Sequence, residues 1–148
     1  MTEQQPPIPS VPANSPEENE QLNLRVLLAE DYAPTLAMSA RALRRKGCTV
    51  FEAKNGQLAL DQLKANPGGY DIVISDYNMP GKNGIELLTE IRNDDRLKNL
   101  PMLIVTGNTI QDGIDIDIKA LGGTFLSKPY ERKDYFAAIR RTVQGSAS

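Results

Sequence analysis

Five short, nearly continuous apolar runs punctuate the chain, and each is followed by a stretch in which apolar residues return every three or four positions. The first run, Leu24 to Ala29, has the pattern of a strand buried on both faces and ends at Glu30 and Asp31. Pro34 opens a helical segment to Lys46 with Leu36, Ala40 and Leu43 on one face. Arg44, Arg45 and Lys46 complement the dipole at its end, and Gly47 stops it. Thr49 to Ala53 reads as a second strand. Gly56 to Ala65, carrying Leu60 and Leu63, reads as a second helix ended by Pro67, Gly68 and Gly69. The third run, Ile72-Val73-Ile74-Ser75, delivers Asp76 to the point where Pro80 and Gly81 force the chain out of the ladder. After Gly84, Ile85, Leu87, Leu88 and Ile91 keep a helical period as far as Asn93. Pro101 to Val105 is a fourth buried strand ending at Thr106 and Gly107.

The next segment is readable in two ways. Ile114-Asp115-Ile116-Asp117-Ile118 alternates like a strand, whereas Ile110, Ile114, Ile118 and Leu121 fit one face of a helix. A helix is expected, because a parallel pair of strands cannot be joined without a crossover. Ile116 then falls off the buried face, and Gly113 weakens the helix by about 1 kcal/mol relative to Ala. Thr124 to Ser127 is a short fifth strand ending at Lys128 and Pro129, and Glu131 to Val143 a last helix with Tyr135, Phe136 and Ile139 apolar.

Five strand-helix units imply an α/β fold, a five-stranded parallel sheet with helices on both faces. With 148 residues and 40% hydrophobic composition the chain supports one core. Residues 1–22 hold half of the prolines (Pro6, Pro7, Pro9, Pro12, Pro16) and almost no large apolar side chains, so they read as a disordered tail or tether. The folded domain is expected over residues 23–144, with residues 145–148 as a frayed end.

Composition narrows the chemistry. A formal charge of -2 gives no basic field of the kind that draws proteins to DNA or RNA. Without histidine, the chain has no Ser-His-Asp or Cys-His apparatus, no histidine metal site and no phosphohistidine of its own. Cys48 stands alone, which excludes an internal disulfide and a cysteine metal cluster, suits a reducing cytoplasm, and suggests a small buried hydrophobe. No secretory signal and no membrane-spanning run are visible.

In a parallel sheet the carboxyl ends of the strands form one crevice. Four strand ends would bring Glu30, Asp31, Asp76, Thr106 and Lys128 to it. Taken singly, each has an ordinary explanation: Glu30 and Asp31 capping the first helix, Asp76 capping the next turn or helix, Thr106 capping the fourth helix, Lys128 solvated on the surface. Converging carboxylates repel one another, and a hard divalent cation such as Mg²⁺ is the usual means of holding them ionised. With a lysine and a hydroxyl beside them the set has the parts of a phosphoryl-transfer site whose nucleophile is an aspartate.

These residues resemble the receiver domain of two-component response regulators, over roughly residues 24–143. The match rests on the Glu30-Asp31 pair, Asp76 within Asp76-Tyr77-Asn78-Met79-Pro80-Gly81-Lys82-Asn83-Gly84, Thr106-Gly107 thirty residues beyond Asp76, and Lys128-Pro129 fifty-two beyond it. The resemblance implies a flavodoxin-like, doubly wound (βα)5 fold with strand order 2-1-3-4-5. It implies that Asp76 accepts a phosphoryl group from a sensor histidine kinase or a histidine phosphotransfer protein. Asp31, Asp76 and the backbone carbonyl of Asn78 would ligate Mg²⁺, or Mn²⁺ in its place, with Glu30 acting through a water. Thr106 and Lys128 would meet phosphoryl oxygens, with Gly107 leaving room for the group, and the Lys128-Pro129 peptide would be cis. Thr106 and Phe125 would form the switch. The implied protein is cytoplasmic, binds neither nucleic acid nor membrane, contacts a downstream protein through the face of helix 4, strand 5 and helix 5, and catalyses only its own phosphoryl transfer and hydrolysis.

Three positions depart from the family pattern. Phe125 stands where a Tyr is usual and brings no hydroxyl, Tyr32 follows Asp31 where an acid or Asn is common, and Asn108 follows Gly107 where a larger residue is frequent. The soft fourth helix with Gly113 and Ile116, together with Phe125 and Tyr135, is the expected surface that changes on phosphorylation. Three rival readings stand beside the single-domain regulator. The first is a receiver belonging to a hybrid sensor kinase. The second, a Mg²⁺-dependent aspartyl phosphatase, wants an acid where Asn78 stands. The third, an FMN binder, wants a hydroxyl-rich loop where Glu30 and Asp31 stand.

Overall fold

The computed structural model describes residues 20–107 and 113–146. Its elements alternate as β1 (Arg25–Ala29), α1 (Ala33–Arg45), β2 (Thr49–Ala53), α2 (Gly56–Ala65), β3 (Ile72–Asp76), α3 (Gly84–Asn93), β4 (Met102–Thr106), α4 (Ile114–Ala120), β5 (Thr124–Ser127) and α5 (Arg132–Ser146). All four strand pairs are parallel, in the order β2-β1-β3-β4-β5. This is the five-stranded, doubly wound order that the family resemblance implies.

Side-chain alternation along each strand divides the core in two. Val26, Leu28, Ile72, Ile74, Leu103 and Val105 point to the layer of α1 and α5, where they meet Leu36, Leu43, Phe136 and Ile139. Leu27, Val73, Met102 and Ile104 point the other way, to Leu60, Leu63, Leu87, Leu88, Ile91 and Ile118 of α2, α3 and α4. Burial on both faces is why β1, β3 and β4 are continuous apolar runs and not alternating ones. Cys48 is buried as a free thiol within the α1 and α5 layer.

Three details differ from the sequence expectation. α4 is shorter than the Ile110 to Leu121 span expected for it: Gly113 is its N-cap, with a left-handed φ of 72°, and the helix starts at Ile114. Glycine adopts that conformation at no steric cost, so Gly113 begins the helix and does not weaken its interior. Ile110, with Asn108, lies outside the described residues. α5 begins at Arg132, one residue late, and continues through Ser146, which takes Gly145 and Ser146 into the helix. At the other end, the chain is docked before β1 begins. The Leu22 N–H donates to Lys46 O at 2.8 Å, Glu20 pairs with Arg140 at 3.4 Å, and Leu22 packs against the α1 and α5 layer.

Among the described residues, no helix is long and apolar enough to cross a membrane.

Candidate functional site

β3 carries the central group. It lies between β1 and β4 with Ile72, Val73 and Ile74 fully enclosed, and Asp76 is its last residue, in register with Val105. The chain then folds back on itself. The Tyr77 N–H donates to Val105 O at 2.9 Å, and the Gly84 N–H donates to Tyr77 O at 2.8 Å. Gly84 is required by this close approach, since a Cβ there would lie 3.0 Å from Asp76 O and 3.1 Å from Tyr77 Cα. α3 is capped by Asn83, whose side chain accepts from the Glu86 N–H while Glu86 accepts from the Asn83 N–H. Lys82 and Glu90 form an ion pair that ties the loop to α3. The Asp76 carboxylate therefore has no part in capping.

The other capping alternatives fall in the same way. The N-cap of α1 is Tyr32, with no side-chain cap; Glu30 is turned inward, 8% exposed, with Oε2 accepting the Tyr32 N–H at 3.1 Å. Thr106, 2% exposed, lies far in sequence from the Gly113 cap of α4. Its carbonyl accepts the Lys128 N–H at 2.8 Å, which holds the end of β5 beside the end of β4. Lys128 reaches back over the sheet edge, and its Nζ donates to Asp76 Oδ1 at 2.9 Å. The Lys128-Pro129 peptide is cis.

Carboxylate oxygens of Glu30, Asp31 and Asp76 all lie within 4.8 Å of one another. Set against the single ammonium of Lys128, these three carboxylates leave two negative charges in one small volume. An all-oxygen donor set with a surplus of two charges fits a hard divalent cation, and Mg²⁺ in particular binds through one or two carboxylates while keeping waters. Burial, opposed by the Tyr32 N–H and reinforced by the charge of Asp76, raises the Glu30 pKa above its ordinary value. Burial works against the charge of Lys128 but is outweighed by its hydrogen bond to Asp76 and by the nearby carboxylates, so its pKa is raised. Among the described residues, a Cβ added at Gly107 would meet no atom within 4 Å.

The model of the response regulator receiver domain matches residues 26–140. The chain belongs to this family. Chemotaxis protein CheY of Pseudomonas aeruginosa is 35% identical over 108 residues, covering 72% of this chain and 86% of that protein. Among solved structures, a response regulator receiver domain protein from Clostridium thermocellum superposes with a TM-score of 0.75 at 25% identity, over 83% of this chain and 96% of that one. The receiver domain of the hybrid histidine kinase CckA superposes with a TM-score of 0.66 at 32% identity, over 81% and 99%. The protein is thus a receiver of the CheY type, a fold consistent with phosphorylation-dependent signalling.

In this receiver the strand ends bring together Glu30, Asp31, Asp76 and Lys128; Thr106 is buried at the end of the adjacent β4, and Asn78 is exposed after β3. Phe125 is half-buried against the α2, α3 and α4 layer, with the Lys119 ammonium 5.8 Å from its ring centre. Ile116 is 66% exposed, as its position on the helix requires. Tyr135 corrects an expectation: it is 4% exposed, in the α1 and α5 layer, and contributes no surface. Ser39, Tyr130 and Tyr135 line a small cavity behind the acidic cluster, a position that the sequence did not suggest for any of them. Ser39 lies three residues from Leu36 on the buried side of α1, a spacing that offered the one available signal.

Proposed function

We propose that the protein is a phosphorylation-controlled switch in which Asp76 is the phosphoacceptor. The observation that carries this reading is the ammonium of Lys128 held on the Asp76 carboxylate, with two further carboxylates beside it. Asp76 attacks the phosphorus of a phosphohistidine on a sensor kinase or a phosphotransfer protein. The new P–O bond replaces the P–N bond, and the imidazole leaves with the electron pair. Lys128 pairs with a phosphoryl oxygen, and the Thr106 hydroxyl hydrogen-bonds another. Glu30, Asp31, Asp76 and the Asn78 carbonyl would hold Mg²⁺, which when bound supplies charge neutralisation for the transferred group. The chain turns over no other substrate; its chemistry is its own phosphorylation and slow hydrolysis.

The output surface in this reading comprises α4, β5 and the exposed side of α5, with Ile116 and Phe125, the latter beside Lys119, as its apolar parts. A downstream protein reads that face in the cytoplasm. A second reading has the support of the 32% identity to the receiver of a hybrid kinase: the phosphoryl group passes onward from Asp76 to a histidine phosphotransfer protein. Incubation with a small-molecule phosphodonor and Mg²⁺, followed by intact mass, tests the shared core. Wild type gains one phosphoryl group and Asp76→Asn gains none; no gain on wild type, or an equal gain on the variant, rejects the phosphoacceptor.

A further inference from the structure

The turn that follows Asp76 is fastened on several sides. The Gly84 N–H donates back to Tyr77 O, and the Lys82 N–H donates to Pro80 O at 3.0 Å. Met79 is buried in the layer that Ala59, Leu60 and Leu63 of α2 also line. At the far end, the backbone of Lys82 lies against Gly56, the first residue of α2. A Cβ built on Gly56 would stand 2.5 Å from Lys82 O and 2.9 Å from Lys82 Cβ. From the other side the Lys82 ammonium, 19% exposed, pairs with Glu90 of α3. The turn is thus seated on one helix and tethered to the next.

Glycine is a poor helix former, less favourable than alanine by about 1 kcal/mol. Gly56 has no left-handed backbone that would call for it. Nor is it needed as a cap, because the Asn55 side chain already accepts the Leu58 N–H at 2.8 Å. What the position requires is the absence of a side chain, so that the turn can close down on the helix. Gly84 meets the same requirement against Asp76 O, so the two glycines bracket the segment that carries Asn78.

We propose that Gly56, acting through the backbone of Lys82, is a positioning residue that sets the Asn78 carbonyl for Mg²⁺ and makes the site discriminate Mg²⁺ from Ca²⁺. The inference rests on the reading of Asn78 as a metal ligand in the function proposed above. Mg²⁺ demands a near-ideal octahedron of close oxygens, whereas Ca²⁺ accepts longer contacts in a flexible arrangement. A carbonyl carried out of place by a lifted turn therefore weakens Mg²⁺ binding and leaves Ca²⁺ binding nearly as it was.

Isothermal titration of wild type, Gly56→Ala and Glu90→Gln with Mg²⁺ and with Ca²⁺ tests this, and metal-free circular dichroism establishes which variants fold. Gly56→Ala should bind Mg²⁺ roughly tenfold more weakly, the usual effect of disturbing a group that orients a ligand. Its Ca²⁺ affinity should stay within about twofold of wild type, so the ratio of the two falls. A merely structural role would lower both affinities together. Equal losses for the two ions, or an unchanged ratio, overturn the inference and leave the metal site standing. If Gly56→Ala does not fold, Glu90→Gln decides: this change at a half-exposed position removes only the tether, and a ratio equal to that of wild type overturns the inference. A wild type that binds no Mg²⁺ overturns the metal site, and this inference with it.

Discussion

Lys128 Nζ donates to Asp76 Oδ1 at 2.9 Å, a contact that joins the end of β5 to the end of β3 across the intervening β4. The ammonium occupies part of the field that a divalent cation would use. Lys128→Met should therefore bind Mg²⁺ more tightly, by roughly three- to tenfold once solvent screening of this half-exposed side chain is allowed for. The same variant should lose most of its phosphodonor-driven mass gain, because the transferred oxygens lose their cation. Isothermal titration with Mg²⁺ checks the first half; weaker binding would show that Lys128 supports the cation site and does not compete with it.

Glu30 is held where its charge is unwelcome, by burial first and by the neighbouring carboxylates. Glu30→Gln keeps the shape and removes the charge. The metal-free variant should gain about 1 kcal/mol at neutral pH, a rise in Tm of about 4 °C, and should bind Mg²⁺ roughly tenfold more weakly. A drop in metal-free Tm would contradict this account of the cluster.

Arg92 is a half-buried clamp whose guanidinium, among the described residues, donates to four carbonyls: Leu121 O at 2.6 Å, Gly122 O at 3.3 Å, Lys98 O at 3.1 Å and Leu100 O at 2.8 Å. It ties the end of α3 to the connection between α4 and β5. Arg92→Met should cost about 2–3 kcal/mol in urea unfolding, and Arg92→Lys should recover little, because an ammonium cannot span two loops. Hydrogen exchange should quicken at Gly122 and Gly123 before it quickens in β3.

Arg25 and Asp71 join the entry ends of β1 and β3 by a two-pronged contact, Nη2 to Oδ1 at 2.8 Å and Nε to Oδ2 at 3.2 Å. The hydrogen bond from Arg25 leads the causes that depress the Asp71 pKa below its ordinary 3.8. A depressed carboxylate contributes stability that is complete above the unfolded value and disappears as pH falls through the folded one. The gap in Tm between wild type and Asp71→Asn should stay constant above about pH 5 and close below 3.8. A gap that persists at pH 2 would mean the contact is worth its geometry and not its charge.

The sheet was legible in the sequence because burial on both faces leaves uninterrupted apolar runs, as in Leu103-Ile104-Val105, and because alternation with helices allows only parallel crossovers. The acidic cluster was legible for the same reason, since a parallel sheet gathers its strand ends. Choosing between site and cap needed coordinates: Asn83, Tyr32 and Gly113 hold the caps, which releases Asp76, Asp31 and Thr106. The start of α4 was hidden because a glycine reads alike inside a helix and at its cap. Tyr135 was misassigned because a helical period gives the apolar arc of α5 but not which edge of it faces solvent. The cavity behind Glu30 depends on side-chain volumes from α1, β1, β3 and α5 at once, and no local pattern encodes that.

The docked segment ahead of β1 has a practical consequence. Leu22 is bonded to the last turn region of α1, at the rim where the parallel strands begin, while the carboxylates occupy the rim where they end. A fluorophore or an affinity handle attached at the exposed Gln21 would thus sit on the rear of the sheet. Immobilised in that orientation, the molecule presents its acidic rim and the α4 face outward together, so encounter with a phosphodonor and capture of a reader can be followed on the same surface.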